Sequence, residues 1–338
     1  MIRENMNIGK IVNSKITLLL YLIAPLLIIG QEATMEMPDG YSSETTLKIA
    51  YFFGTLDLIE KDFPVPDDIE EYKDIIYRTV DSTNLKLDIY HAKNISDSAP
   101  LLLFIHGGGW KKGDKHDYLR YLIDFARKGY VTATVQYRFS NKAKFPAQLL
   151  DVKAAIRWLK KNADKYNINS EKVAVIGGSA GGHLALMAGY TPDISDFNED
   201  NESSNTYEVQ AVVDLYGPAD LTTEYAREQG SVTNLIGKKF DEAPELFKNA
   251  SPKNYITEDD PPTLIFQGTI DELVPFSQSD NLAKQLEETG VQVEYHKLEG
   301  WPHTMDLAVE VNEYCQFYMN RFFEKHLSLK SKINANKE

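Results

Sequence analysis

Cys315 is the only cysteine among 338 residues, so no intramolecular disulfide can form and stability has to come from a buried core. An excess of positive charge is missing too: 36 lysines and arginines stand against 50 aspartates and glutamates, a formal net charge of −14. A chain of that sign repels phosphate backbones and anionic lipid surfaces, so no nucleic-acid partner is expected. No uninterrupted apolar run reaches the ~20 residues that span a bilayer. No internal repeat is visible, which sets solenoids and propellers aside.

The longest apolar run is Ile16 to Ile29, preceded by Arg3, Lys10 and Lys15 and followed by the small residue Gly30. A basic start, an apolar stretch of about 14 residues and a small residue have the layout of a secretory signal peptide. Residues 1–30 are therefore expected to be a leader cut near Gly30/Gln31, and the product to be secreted or periplasmic, with no membrane association afterwards. Loss of the leader takes Arg3, Lys10, Lys15 and Glu4 with it and moves the net charge from −14 to −16. No cysteine stands just after the run, which argues against a lipid anchor.

Past the leader, residues 31–70 are expected to form an N-terminal helical extension, with a helix from Thr46 to Lys61 ended by Phe63-Pro64-Val65-Pro66. Residues 71–338 are expected to be one α/β domain. Ile75 to Val80 and Leu85 to Tyr90 read as a hairpin around Asp81-Ser82-Thr83-Asn84. Strands and helices then alternate to the end. Strands are expected at Leu101–Ile105, Tyr130–Tyr137, Lys172–Ile176, Ala211–Leu215, Thr263–Gln267 and Val291–Lys297, with helices between them and a closing helix from Val311 to His326. That alternation indicates a mostly parallel sheet with helices on both faces. Asp193 to Glu208 reads as a solvated acidic loop. Segment 222–260 is either a small cap over the site or a helical connection that only covers the sheet.

The chemistry sits at strand ends. Gly177-Gly178-Ser179-Ala180-Gly181 follows a strand and opens a helix, and small neighbours on both sides let a serine occupy a sharp, strained turn with its Oγ exposed above the sheet. Ala180 N–H, at the helix start, can donate to an oxyanion. His106-Gly107-Gly108-Gly109-Trp110 follows the strand Leu101–Ile105, and the free amides of Gly108 and Gly109 supply the other expected donors. His106 is expected to orient this loop, and Trp110 is either a wall of the substrate pocket or core.

Of seven histidines, His303 is best placed as the base, on the loop after the last strand. His183, one turn into the helix after the serine, is expected to support that turn. Asp271, after the strand Thr263–Gln267, is the expected acid, with Glu272 as its neighbouring rival. Serine, histidine and carboxylate in this order, each after a strand, suit acyl transfer.

These stretches, together with Lys112-Gly113-Asp114, Phe145-Pro146-Ala147-Gln148, Asp151, Ala154 to Leu159, Gly182-His183-Leu184-Ala185 and Tyr216-Gly217-Pro218-Ala219-Asp220-Leu221, resemble the α/β-hydrolase superfamily. Within it they resemble the esterases related to hormone-sensitive lipase and, more narrowly, the bacterial ferulic-acid-esterase-like (BD-FAE) family, over about residues 75–326. The resemblance implies a serine carboxylesterase acting on short acyl or phenolic esters, on carbohydrate such as acetylated xylan or feruloylated polymer, with no cofactor and no metal. The same constellation serves amide cleavage in arylformamidases and peptidases. A hydrolase fold can also be a binding module without catalysis. Neither acyl preference nor oligomeric state follows from the sequence.

Overall fold

Eight strands hydrogen-bond into one sheet in the order β1 (Ile69–Val80), β2 (Thr83–Ala92), β4 (Val131–Val135), β3 (Ala99–Ile105), β5 (Ile168–Gly178), β6 (Ala211–Leu215), β7 (Thr263–Gly268) and β8 (Val293–Leu298). This computed structural model describes residues 34–60, 62–95, 98–198 and 203–327; the expected leader lies outside the described residues. The described residues from Met35 onward make one compact unit.

β1 pairs antiparallel with β2, and β2 antiparallel with β4; every later pairing is parallel. The hairpin turn is tighter than the four-residue turn expected. Only Asp81 and Ser82 lie outside the strands, at φ +47° and +64°, the two positive values of a type I′ turn whose twist suits the strands it joins.

The inner strand β3 carries no polar side chain because helices cover both of its faces. Every residue of β3 is buried, and its side chains divide by parity. Leu101, Leu103 and Ile105 enter one core with α3 (Ala147–Lys161), α4 (Ala180–Tyr190) and α8 (Ser277–Thr289). Leu102 and Phe104 enter the other, with α2 (Leu119–Arg127) and α9 (Val309–Leu327). Burying each such large side chain contributes about 1.5–3 kcal/mol. No helix among the described residues is long and apolar enough to cross a membrane.

Two sequence expectations need correction. The N-terminal helix, α1 (Glu44–Phe52), ends well before Lys61, because Gly54 at φ +69° turns the chain back and Thr55 N–H and Gly54 N–H bond the carbonyls of Ala50 and Tyr51. It buries no residue fully; only Leu47 and Ala50 pack, partly buried, against the core, while Ile49, Tyr51 and Phe52 are exposed. The acidic loop is also less solvated than its composition suggests, since Phe197 and Tyr207 are buried.

Segment 222–260 folds as α5 (Glu224–Glu228), α6 (Gly230–Ile236) and α7 (Pro244–Asn249). Val232, Leu235, Ile236 and Phe247 join the core, so the segment covers the body, and Tyr225, Gln229, Ser231 and Val232 also line a cavity above the sheet.

Candidate active site

Sheet register brings the expected residues together. Ile105 of β3 lies opposite Gly177 of β5, so the glycine loop after β3 and the serine turn after β5 leave the sheet side by side. At the other end of the parallel run, Gly268 of β7 lies opposite Leu298 of β8, which places the loops bearing Asp271 and His303 next to one another. All open at the carboxyl ends of the strands, near the point where strand order reverses, where open α/β sheets form their binding crevices.

Ser179 has φ +55° and ψ −120°, a strained pair of angles for a residue with a side chain. The turn is held from both sides: Ser179 N–H donates to Leu215 O (2.8 Å), and Ser179 O accepts His183 N–H (3.0 Å). Only glycine fits at 181, since a Cβ there would lie 2.0 Å from Ile105 O.

His303 Nε2 is 3.0 Å from Ser179 Oγ, and His303 Nδ1 is 2.7 Å from Asp271 Oδ2. The carboxylate is itself fixed. Asp271 Oδ1 accepts the N–H groups of Leu273 (2.9 Å) and Val274 (2.8 Å), and Oδ2 accepts Gln267 Nε2 at 3.1 Å. With Oδ2 taken up as acceptor, His303 Nδ1 must carry the proton and Nε2 is left as acceptor toward the serine hydroxyl. Glu272 is exposed and makes no such contact.

Gly108 and Gly109 have φ +100° and +60°, and their N–H groups donate to no protein acceptor among the described residues. Ala180 opens α4, so its N–H has no acceptor within the helix. His106 does orient the loop: its buried ring stacks on Tyr137 at 4.4 Å, its Nδ1 bonds Gly107 O at 2.9 Å, and burial lowers its pKa.

Trp110 lies between the cavity and the core. It borders the cavity, yet it is 2 % exposed, and its Nε1–H donates to His183 Nδ1 at 3.3 Å. His183 in turn donates Nε2–H to Ala250 O at 2.7 Å, so it ties the start of α4 to the 222–260 segment as well as supporting the serine turn. Full burial pushes its pKa down to about 4, which keeps the ring neutral.

The cavity at these residues measures about 460 Å³. Part of its wall comes from the N-terminal extension. Ile59 lines it, and Ile59 N–H donates to Leu307 O (2.8 Å) while Val309 N–H donates to Asp57 O (2.9 Å). Upstream, Tyr41 N–H donates to Gly300 O (2.9 Å), and the Tyr41 and Trp301 rings meet edge to face at 5.5 Å. The extension therefore grips the His303 loop on both flanks. Gln267, Ile59 and the extension's grip were not singled out from the sequence; of these only Gln267, at the end of a strand and four residues before Asp271, carries a local signal.

The BD-FAE family model matches residues 87–286. The chain belongs to the BD-FAE family. The matched part holds Gly108, Gly109, Ser179, Ala180 and Asp271, while His303 and Ile59 lie outside it. Among curated relatives, the Mycobacterium tuberculosis proteins named esterase LipC and probable carboxylic ester hydrolase LipM are 31% and 32% identical to it, each over 65% of this chain. The matches span 57% and 53% of those relatives' own length. Among solved structures, a truncated carbohydrate esterase from gut microbiota superposes with a TM-score of 0.69 at 28% identity, covering 79% of this chain and all of that one. A thermophilic esterase from the planctomycete Thermogutta terrifontis gives 0.66 at 25% identity, over 79% of this chain and 96% of its own. The fold is that of an α/β-hydrolase.

Proposed function

We propose that this chain is an exported serine carboxylesterase that cleaves short acyl or phenolic esters on carbohydrate. The observation that carries the reading is the line from Ser179 Oγ through His303 to Asp271, at 3.0 Å and 2.7 Å.

In this reading His303 Nε2 takes the Ser179 proton as Oγ attacks the ester carbonyl, and the amides of Gly108, Gly109 and Ala180 hold the resulting oxyanion. Asp271 fixes the imidazole tautomer and stabilises the imidazolium. The protonated ring then gives its proton to the leaving alcohol. Water, activated by the same histidine, releases the acid and restores the serine. Trp110 and Ile59 bound the substrate space. Support for the ester class comes from relatives named as esterases, and for carbohydrate from the superposed carbohydrate esterase. Export rests on the basic and apolar composition of residues 1–30.

A panel of p-nitrophenyl acetate and butyrate, methyl ferulate, acetylated xylo-oligosaccharide and an acyl anilide tests this. Turnover of the acetyl or feruloyl carbohydrate-type esters is expected, with the anilide left intact. Cleavage of the anilide alone would replace the ester reading with amide hydrolysis.

A further inference from the structure

Beside the nucleophile, the cavity carries a row of polar groups that acyl transfer itself does not use. Tyr216, at the end of β6, has φ +47°, uncommon for a residue with a bulky side chain, and its O–H donates to Oδ1 of Asp306. The Tyr216 ring also meets the His303 ring at 4.8 Å. Asp306, three residues after His303, is 2 % exposed. Tyr118, at the start of α2, completes the row: a Cβ built on Gly178 would lie 2.2 Å from Tyr118 Oη and 3.0 Å from Tyr216 Oη, so both hydroxyls rest against the residue that precedes Ser179. Tyr118, Tyr216 and Asp306 all line the cavity.

A hydrocarbon substituent would be served by an apolar wall, without the cost of burying a carboxyl group. Here the Tyr216 hydrogen is committed to Asp306, which leaves Tyr216 Oη able to accept and Tyr118 O–H able to donate either to it or into the cavity. A substrate hydroxyl can accept from Tyr118 O–H and donate to Tyr216 Oη. A methyl group in the same place can do neither. Burial raises both phenols well above their usual pKa, so both stay protonated through the neutral range.

We infer that Tyr118, backed by Tyr216 and Asp306, forms a subsite for a hydroxyl group close to the scissile ester, as in an ester of a polyol. The inference rests on the ester-hydrolase reading and deepens it. The hydroxyl could belong to the alcohol or to the acyl part, and paired isosteric substrates separate the two.

The experiment compares kcat/KM for 2-hydroxyethyl acetate against propyl acetate, and for ethyl glycolate against ethyl propionate, in the wild type, Tyr118→Phe and Asp306→Asn. The wild type is expected to favour the hydroxylated member of one pair, and Tyr118→Phe to reduce that ratio by about fivefold, the worth of one neutral hydrogen bond. Asp306→Asn should shift the same ratio in the same direction. Collapse in the first pair assigns the hydroxyl to the alcohol; collapse in the second assigns it to the acyl group. Ratios unchanged in both variants, even with lower overall rates, would mean that the row only supports the fold and would overturn the inference. A wild type that turns over none of the four esters and takes no fluorophosphonate adduct would instead overturn the ester-hydrolase reading beneath it.

Discussion

Trp301 donates its indole N–H to the carbonyl oxygen of Pro38 at 3.1 Å, across 263 residues of sequence. Trp301 lies two residues before His303, so the bond ties the imidazole's loop to a segment outside the matched family region. Trp301→Phe keeps an aromatic ring near Tyr41 and removes the N–H together with part of the buried indole. Loosened positioning of His303 should lower kcat about three- to tenfold with KM little changed. Fluorophosphonate labelling of Ser179 should slow in parallel. A raised KM at unchanged kcat would locate the effect in binding instead.

Asp271→Asn should lower kcat by about 10⁴, because an amide in place of the carboxylate favours the wrong imidazole tautomer. Glu272 is exposed and it is Asp271 that bonds His303, so Glu272→Gln should stay near wild type. Steady-state kinetics on p-nitrophenyl acetate separates the two carboxylates. A large loss from Glu272→Gln would reverse the assignment.

Gly108→Ala asks a residue with a side chain to adopt φ +100° with its Cβ 2.2 Å from Lys112 O. The loop must shift, and with it an oxyanion donor. The expected result is a loss of about 10²–10³ in kcat, the usual effect of removing one such donor. Circular dichroism should show the fold intact.

His183 is neutral and fully buried, with a pKa pushed down to about 4, while an unfolded histidine titrates near 6.5. Between those values the unfolded chain binds the extra proton, so this residue's contribution falls as pH drops from about 6.5 to about 4 and is constant above that window. The span corresponds to about 3 kcal/mol. Buried Asp214, whose pKa burial raises, biases stability in the opposite direction with pH, so the comparison must be a difference. Urea midpoints from pH 4 to 7 should therefore fall more steeply toward acid for the wild type than for His183→Gln. Parallel curves would contradict a buried neutral ring.

Elements with a strong local pattern were legible in the sequence. The all-apolar run of β3, the glycines around Ser179 and the strand-end positions of Asp271 and His303 each carry their information within a few residues, and sheet register then brings them together. The grip of residues 35–59 on the His303 loop was not legible. Most of its bonds run from backbone to backbone, as between Tyr41 and Gly300 or Ile59 and Leu307, and backbone bonding leaves no residue-type signature. α1 misled for a related reason: its apolar residues recur at helical spacing, yet Ile49, Tyr51 and Phe52 are exposed. The row of Tyr118, Tyr216 and Asp306 was missed because three segments far apart in the sequence supply it, and the stretch from Tyr216 to Leu221 carried a family resemblance without a role for its tyrosine.

Intact-mass and peptide mass spectrometry after treatment with a fluorophosphonate, on the wild type and Ser179→Ala, tests the nucleophile most directly. One adduct on the wild type, mapped to the peptide carrying Ser179 and absent from the variant, is the expected result. An unmodified wild type, or an equal adduct on Ser179→Ala, would contradict the assignment of Ser179 as the residue that attacks the ester.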